Sequence, residues 1–415
     1  MKVLVLNFGS SSVKSQLIET SASMIAANAD RLLGKVTIER MGTPFSVINV
    51  DLPGRTSGKK RIKISKPVYK AEEAFAAIIE AYLTHLGGQS LQSAEEIEGV
   101  GHRVVHGGER FKHSVLMTPE VVDDIEESVD LAPLHNPHNL KGYYAAAAAL
   151  PRAQHVAVFD TSFHHTIPPH AYLYGLPYLY YERYQIRRYG FHGTSHRYVS
   201  YRHAQIHGAT RDQFNVITCH LGNGCSVCAI DRGRSVDTSM GFTPVEGLLM
   251  GTRCGDIDPV AVLRVIVHEE MDAQGVESML NRLGGLYGIS GISSDMRVLL
   301  EEMAKGNARA KLAVDTFCHR VRKYIGAYLA ILDRCDAIIF AGGIGENAVQ
   351  VRQMICDGLA GLGIRLDAER NAQTIGIEGR ISADDSRLPV WVIPTNEELL
   401  IARDTLRCIE GLPLP

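Results

Sequence analysis

Val3-Leu-Val-Leu-Asn7-Phe-Gly9-Ser10-Ser11-Ser12-Val-Lys14-Ser-Gln-Leu17 begins the chain with an apolar run, a turn of small residues and a second alternating run. The same layout returns in the second half as Val216-Ile-Thr-Cys-His220-Leu-Gly222-Asn223-Gly224-Cys225-Ser226-Val-Cys228-Ala-Ile230. Each stretch predicts a β-hairpin with a tight turn of Gly, Ser and Asn. Such a turn exposes backbone N–H groups and short polar side chains, which suit phosphate oxygens. Its recurrence predicts two similar domains that face one nucleotide.

Length and composition are typical of a soluble globular protein. Its 415 residues suffice for two or three domains, and the formal net charge of −3 argues against a nucleic-acid or anionic-membrane surface. The basic run at 55–63 is interpreted as a solvated hairpin, with a polyanion site as the alternative. We find neither a signal peptide nor a stretch long enough to span a membrane, and the scattered cysteines favour the cytosol.

Strands alternate with helices in both halves, which predicts the α/β class. The strand at 154–159 delivers Asp160 at its carboxyl end, where ligand chemistry gathers in α/β sheets. In the second half, a short apolar strand at 336–340 leads into the glycine-rich turn at 342–347. The sequence predicts helices at 70–86, 119–129, 135–150, 259–269, 276–283 and 298–332, with Gly306 as a break in the last. A final helix begins near Asn396.

The turn Gly343-Ile-Gly345-Glu-Asn-Ala348 matches a dinucleotide-binding pattern, and Asp367 follows at about the appropriate spacing. A first Rossmann unit should, however, be followed by several βα units, and only one more strand is predicted here. Contact with a nucleotide other than NAD is therefore favoured, because glycines allow close backbone approach and a helix N-terminus attracts anionic oxygens. NAD binding and a purely structural turn remain alternatives.

Several patterns could indicate metal or anion sites. Cys225-x-x-Cys228 lies on a predicted strand, so a zinc or redox role is the weaker interpretation and free thiols the stronger. The histidine pairs at 135/138, 164/165 and 192/196 lack the nearby third ligand of a zinc site. Three glycine-flanked clusters, at 101–108, 188–196 and 250–259, each place arginine beside small or polar residues. We interpret them as converging on an anion, with structural ion pairs as the alternative.

The ordered set of these motifs resembles the acetate kinase family over essentially the whole chain. The matching blocks run from 7–14 through 101–108, 158–163, 188–196, 220–224, 251–259 and 342–347 to 394–399. The resemblance implies the actin-like ATPase fold, with two duplicated ribonuclease H-like domains and a nucleotide cleft between them. It places the first domain at 1–160 plus the returning helix at 397–415, and the nucleotide-binding domain at 161–396.

The family reaction is reversible, direct in-line transfer of the ATP γ-phosphoryl group to acetate, which gives acetyl phosphate and ADP. The resemblance also implies Mg²⁺, with Mn²⁺ as a substitute, a cytoplasmic homodimer, and no nucleic-acid or membrane partner. Because a carboxylate is already ionised at neutral pH, the chemistry needs neutralisation of charge rather than a strong base. Two arginines and a histidine would supply it.

Carried over to this sequence, the resemblance assigns Arg103 to the substrate carboxylate, Arg253 to the transferring group and His192 to its equatorial oxygens. Asp160 matches a position described in the family as an acid/base; we expect it instead to orient an arginine or metal-bound water. Asn7 and Glu397 would hold the metal, and Ser10 lines the phosphate entry. The expected ATP-binding residues are Ser12, Lys14, His220, Leu221, Gly222, Asn223, Gly224, Asp295, Met296, Arg297, Gly343, Ile344, Gly345, Glu346 and Asn347.

The acyl methyl group would sit among Val105, Leu134, Phe191 and Pro244. Relatives that prefer propionate tend to carry alanine where Val105 stands, so we expect acetate to be preferred here. Cys225 and Cys254 depart from the usual pattern, which suggests sensitivity to thiol reagents. A competing hypothesis from another class is a non-catalytic ATP-driven switch, which would leave the arginine and histidine clusters without a purpose.

Overall fold

The computed structural model describes residues 1–53, 60–86, 90–133 and 135–414. The chain divides into two compact units, one formed by Met1–Ser162 with Asn396–Pro415 and the other by Phe163–Thr395. Much of the predicted basic hairpin, up to residue 59, lies outside the described residues. None of the helices within the described ranges combines the length and apolar character that a membrane crossing requires.

The first unit is built on an eight-stranded sheet. Its strands are β1 (Lys2–Phe8), β2 (Ser12–Glu19), β3 (Arg31–Glu39), β4 (Val47–Leu52), β5 (Lys60–Ser65), β6 (Ile97–Val104), β7 (Val115–Leu116) and β8 (Gln154–Phe159). They lie in the order β5-β4-β3-β2-β1-β6-β8-β7. The strands from β5 to β1 alternate in direction, β1, β6 and β8 run parallel, and β7 is antiparallel at the edge.

Helices cover both faces of this sheet. They are α1 (Ala22–Ala27), α2 (Ala71–Leu86), α3 (Pro119–Glu127), α4 (Asn136–Ala149) and, from the end of the chain, α16 (Glu397–Glu410). Leu4 and Leu6 of β1 join the core beneath α2 and α4, whereas Val3 and Val5 pack with Ile401 of α16. Burial on both faces explains why β1 is a continuous apolar run rather than an alternating one.

The second unit has a six-stranded sheet in the order β11-β10-β9-β12-β14-β13. The strands are β9 (Val216–Leu221), β10 (Cys225–Asp231), β11 (Arg234–Thr238), β12 (Ala337–Ala341), β13 (Gly379–Arg380) and β14 (Val390–Val392). Its longer helices are α7 (Gly193–Ile206), α8 (Pro259–Glu269), α9 (Ala273–Arg282), α11 (Met296–Ala304), α12 (Ala308–Ile331) and α14 (Val349–Asp357). The short ones are α5 (Pro169–Tyr172), α6 (Leu179–Tyr184), α10 (Gly285–Ser290), α13 (Gly342–Asn347) and α15 (Ala368–Gln373).

The two sheets repeat one topology. Strands β3-β2-β1-β6-β8-β7 of the first unit correspond in order and direction to β11-β10-β9-β12-β14-β13 of the second. The first unit differs by the added hairpin of β4 and β5. The α/β class and the duplication predicted from the two hairpins are therefore confirmed. The antiparallel half of the second sheet also excludes the parallel Rossmann sheet that NAD binding would require.

Candidate active site

The first hairpin turn closes on its own backbone. Gly9 N donates to Ser12 O at 2.9 Å, and Asn7 pairs with Lys14 across the two strands. Ser10 and Lys14 are exposed, and Ser12 is half-buried. The turn thus presents a hydroxyl and an ammonium to solvent beside the Asn7 side chain, which suits phosphate oxygens.

Arg103 and Asp160 lie at the carboxyl ends of the neighbouring parallel strands β6 and β8. Arg103 Nε donates to Asp160 Oδ1 at 2.9 Å, and Nη2 donates to Oδ2 at 2.6 Å. Asp160 is 1% exposed and Arg103 is 22% exposed. Among the described residues, Arg103 Nη1 has no hydrogen-bond partner. The carboxylate therefore orients the guanidinium while one of its nitrogens stays available.

Electrostatics tie this pair to the last helix. Burial raises the pKa of the Asp160 carboxyl, Arg103 opposes that shift, and the charge of Glu397 adds to it. Burial alone would lower the pKa of Arg103, but the charges of Asp160 and Glu397 outweigh it and raise that pKa. Glu397 is the first residue of α16, and Asn396 caps this helix by accepting from Leu399 N at 3.1 Å. The structure thus brings Arg103, Asp160 and Glu397 into one electrostatic cluster.

Two asparagines of α4 position the segment after β6, and sequence reasoning missed them. Asn139 Oδ1 accepts from Val105 N at 3.1 Å while its amide donates to Phe8 O at 2.9 Å. Asn136 accepts from His106 N at 3.2 Å and donates to His106 O at 2.9 Å. The only signal in the sequence was a pair of asparagines, three residues apart, at the predicted start of a helix. Val105 is half-buried here, and Leu134 lies outside the described residues.

In the second unit, the turn between β9 and β10 packs against the loop that carries Arg253. Gly222 N donates to Gly224 O at 3.0 Å, and Gly251 N donates to Asn223 O at 2.9 Å. A Cβ on Gly251 would collide with the amide of the Asn223 side chain, so a larger residue here would force that side chain to move. The loop therefore carries Arg253 to the turn.

Arg253 and His192 converge on Gly224. The position that a Cβ on Gly224 would occupy lies 3.3 Å from Arg253 Nη1 and 3.3 Å from His192 Nε2. Arg253 Nη1 also lies 3.4 Å from Pro244 O. A guanidinium and an imidazole thus flank a glycine turn, and donors of this kind can stabilise negative charge that develops in a reaction.

The backbone of His192 is held in an uncommon conformation. Its φ is 57° in the left-handed region, directly before α7 begins at Gly193. Buried His164 makes a 3.0 Å hydrogen bond to Phe191 O, which fixes the preceding carbonyl. The His192 ring stacks on His220 with centroids 4.3 Å apart. Strain of this kind persists where surrounding contacts determine it, and it often marks a functional position.

The turn between β9 and β10, at residues 222–224, opens into a cavity of about 690 Å³. It unites segments far apart in sequence: the turn at 222–223, the start of α11 and α13. The lining residues are Gly222, Asn223, Ser294, Asp295, Met296, Arg297, Leu300, Gly343, Ile344, Asn347 and Ala348. Ser294, Leu300 and Ala348 line the cavity but were not among the expected ATP-binding residues. A cavity of this size suits a nucleoside.

Two of the residues that we expected to bind the nucleotide, Gly345 and Glu346, instead make hydrogen bonds that hold the backbone around the cavity. The Glu346 carboxylate accepts from Gly342 N at 2.8 Å and from Thr395 N at 3.0 Å. Buried Arg352 donates to the carbonyls of Gly345 and Glu346, each at 2.9 Å. Gly342 has φ +76°, and a Cβ there would come within 2.7 Å of Leu221 O. The predicted turn at 342–347 is itself the short helix α13, seated against the end of β9.

The thiol alternatives find no support in the geometry. Cys225 Sγ donates to Gly222 O at 3.0 Å, whereas Cys228 Sγ lies 3.2 Å from Ser235 Oγ. All eight cysteines are free, and burial raises the pKa of Cys225 to about 12. In the described ranges, no group of three or more His, Cys, Asp or Glu side chains could hold a metal by itself.

Asn7 and Glu397 nevertheless fit Mg²⁺. This ion uses one or two carboxylates together with water and substrate phosphates rather than an all-protein cage. Glu397 supplies a half-buried carboxylate, and Asn7 supplies an amide oxygen beside the first phosphate-type turn. The donor set is therefore consistent with a metal that arrives with its nucleotide.

Comparison with known proteins agrees with this geometry. The Acetokinase family profile matches residues 2–403. An acetate kinase from Chloroherpeton thalassium is 51% identical over 414 residues, covering 99% of each chain. The crystal structure of Porphyromonas gingivalis acetate kinase gives a TM-score of 0.90 at 42% identity, over 98% of this chain and 99% of that one. A propionate kinase from Francisella tularensis subsp. tularensis gives 0.88 at 38% identity, over 99% and 100%. The chain belongs to the acetokinase family.

Proposed function

We propose that this protein transfers the γ-phosphoryl group of ATP to acetate, reversibly, giving acetyl phosphate and ADP. The observation that carries the proposal is the approach of Arg253 Nη1 and His192 Nε2 to Gly224, at the phosphate end of a nucleoside-sized cavity. Family membership supplies the reaction class.

The transfer needs no proton shuttle. An acetate oxygen forms a bond to the γ-phosphorus as the bond from that phosphorus to the bridging oxygen of ADP breaks. Acetate is ionised at neutral pH, so the barrier is the approach of an anion to a polyanion. Arg253 neutralises the transferring group, and His192 donates to its equatorial oxygens. Donors preorganised at developing charge are commonly the largest catalytic contribution.

Arg103 holds the acetate carboxylate in this mechanism. Its Nε and Nη2 are engaged by Asp160, so Nη1 is the nitrogen left to bind the acetate carboxylate. Asp160 is an orienting group here and not a base, because its carboxylate oxygens accept from the guanidinium and acetate has no proton to lose. Asn7 and Glu397 would hold Mg²⁺, which supplies further neutralisation of phosphate charge when bound.

Acetate is proposed as the preferred acceptor because the family resemblance assigns Val105, Phe191 and Pro244 to the pocket for the acyl methyl group. The similar Francisella protein is, by contrast, a propionate kinase. One methylene discriminates by only about 1–3 kcal/mol, so propionate is a poorer substrate rather than an excluded one.

A homodimer in the cytoplasm, without nucleic-acid or membrane partners, completes the proposal. Helix α8 contributes no buried residue, and Val260, Leu263 and Val267 are 56%, 58% and 73% exposed at spacing typical of one helix face. An apolar stripe of this kind is typical of a surface that a second copy covers.

The deciding assay traps acyl phosphate with hydroxylamine after incubation with ATP, Mg²⁺ and acetate. We expect hydroxamate that depends on all three components. EDTA should abolish the product, and excess Mg²⁺ or Mn²⁺ should restore it. Carboxylate-independent ATP hydrolysis with no hydroxamate would instead favour a non-catalytic switch, and phosphorylation of a sugar or glycerol would move the protein to another reaction.

A further inference from the structure

A buried network of hydrogen-bonded side chains leads from the sheet of the second unit to His192. The antiparallel pairing of β9 and β10 places Thr218 and Ser226 on the sheet face that packs against α7. His196, one helical turn after His192, lies between these two hydroxyl groups. Thr218, Ser226 and His196 are each 0% exposed. None of these three side chains has a role in the phosphoryl transfer proposed for Arg253 and His192.

Three hydrogen bonds connect the chain. His196 Nδ1 lies 2.7 Å from Thr218 Oγ1, and His196 Nε2 lies 2.8 Å from Ser226 Oγ. Ser226 Oγ in turn lies 2.9 Å from His192 Nδ1. The direction of each bond follows from where the protons can go, because ring tautomers are assigned from their hydrogen-bond network.

Thr218 fixes the direction. Within the described part of the chain, His196 Nδ1 is the only acceptor within reach of the Thr218 hydroxyl. A buried O–H without an acceptor is costly, so Thr218 donates and His196 Nδ1 accepts. Burial, together with the nearby rings of His164 and His220, lowers the pKa of His196, so this ring is neutral and carries its one proton on Nε2.

The remaining protons then have one arrangement. His196 Nε2–H donates to Ser226 Oγ, and the Ser226 hydroxyl donates to His192 Nδ1. We infer that Thr218, His196 and Ser226 form a positioning relay that fixes neutral His192 as its Nε2–H tautomer, with the donor directed toward Gly224. This inference rests on the proposed function for its catalytic meaning, but the tautomer itself does not depend on any activity.

The relay would explain how a neutral histidine serves an anionic transition state. Protonated His192 would donate from Nδ1 to Ser226 Oγ, and the Ser226 proton would then lack an acceptor. The network therefore favours a neutral donor that is correctly directed before substrate arrives. Such preorganisation costs no reorganisation during the reaction.

Nitrogen NMR tests the inference on the full-length protein without substrates. Histidine rings are labelled with ¹⁵N, and the His192 signals are assigned by their loss in His192→Ala. We expect Nδ1 to be pyridine-like and Nε2 to be pyrrole-like at neutral pH. A pyrrole-like Nδ1, or two imidazolium-like nitrogens, would overturn the relay. If the expected tautomer occurs in a protein that makes no acetyl phosphate, the relay stands and the proposed function fails.

Ser226→Ala removes the last donor, and Ser195→Ala is the matched control. Ser195 Oγ lies 2.7 Å from His220 Nδ1, so the control deletes a comparable buried hydroxyl beside the neighbouring ring. We expect Ser226→Ala to shift the His192 signals toward a tautomer mixture and to lower turnover up to about tenfold, with less change in the apparent acetate KM. The control should leave the His192 signals unchanged. Equal shifts in both variants, or none in Ser226→Ala, would contradict the relay.

Discussion

Arg103 grips Asp160 with two different nitrogens, at 2.9 Å from Nε to Oδ1 and 2.6 Å from Nη2 to Oδ2. This side-on geometry leaves Nη1 as the nitrogen that no described residue engages. The carboxylate that the family pattern marks as an acid/base is therefore committed to a guanidinium in this structure. Its arrangement supports orientation of the arginine rather than proton transfer.

Asp160→Asn tests that role. The amide keeps the shape of the side chain but removes the charge that anchors Arg103. We expect kcat/KM for acetate to fall about 100-fold, since a hydrogen bond to a charged group contributes about 1.5–3 kcal/mol. An orienting residue should raise the acetate KM as well as lower turnover. Lost turnover with an unchanged KM, together with loss of one limb of the pH–rate profile, would instead indicate a proton-transfer role.

Val105→Ala should relax acyl selectivity. Removing the two methyl groups leaves room for a longer acyl chain, so we expect the ratio of kcat/KM for propionate to that for acetate to rise about tenfold. Parallel assays with acetate, propionate and butyrate measure it. Val104→Ala is the matched control, because Val104 is the last residue of β6, is 2% exposed and packs in the hydrophobic core. A ratio unchanged in Val105→Ala, or changed equally in both variants, would refute the pocket.

Sequence patterns predicted the parts of the fold that hydrophobic periodicity and capping control. Helix α8 runs over Pro259–Glu269 as predicted, with Asp258 as its cap and proline at its first position. Gly306, at φ +88°, separates α11 from α12 as expected. The two predicted hairpins and the family resemblance are confirmed, whereas the phosphate-binding role of the hairpin turns stays a prediction.

Helix α7 shows why the rest was missed. Its buried positions include His196, Arg197, Ser200 and His203, so the face toward the sheet is polar and gives no apolar periodicity. The clamp formed by Asn136 and Asn139 depends on contacts with strands far away in sequence, which no local pattern reveals. The residue roles at the site remain predictions that the following variants address.

The apolar stripe of α8 predicts a dimer. Sedimentation at micromolar concentration should give twice the 45.5 kDa chain mass. Leu263→Glu should shift the equilibrium toward monomer, because a buried unpaired charge destabilises an interface. Glu269→Lys changes charge on the opposite side of the same helix and should leave the dimer intact. A wild-type monomer, or dissociation in both variants alike, would dismiss this surface.

Stability of the second unit should fall in mild acid. Burial, with His207 nearby, lowers the pKa of His203 to about 4. The unfolded chain therefore takes up a proton below pH ~6.5 that the folded chain refuses, and stability decreases by about 1.4 kcal/mol per pH unit until pH ~4. His203 packs against Trp391, the only tryptophan, so urea unfolding followed by fluorescence reports this region. His203→Phe should flatten the slope by about that amount; an unaltered slope would contradict the assignment.

Arg253→Ala and His192→Ala should separate transition-state stabilisation from binding. Both side chains approach the phosphate turn rather than the nucleoside cavity, so their loss should reduce turnover with little change in the acetate KM. We expect about 10³-fold for Arg253, in the range of an arginine on a transferring phosphoryl group. For His192 we expect about 10²-fold, as for one oxyanion donor. Arg297→Ala, at the cavity, should instead raise the ATP KM.

Because Arg253 and His192 both approach Gly224, the double variant should lose less turnover than the product of the two single losses. Fully multiplicative losses, or losses confined to the acetate KM, would show that the two residues do not act on one phosphoryl group.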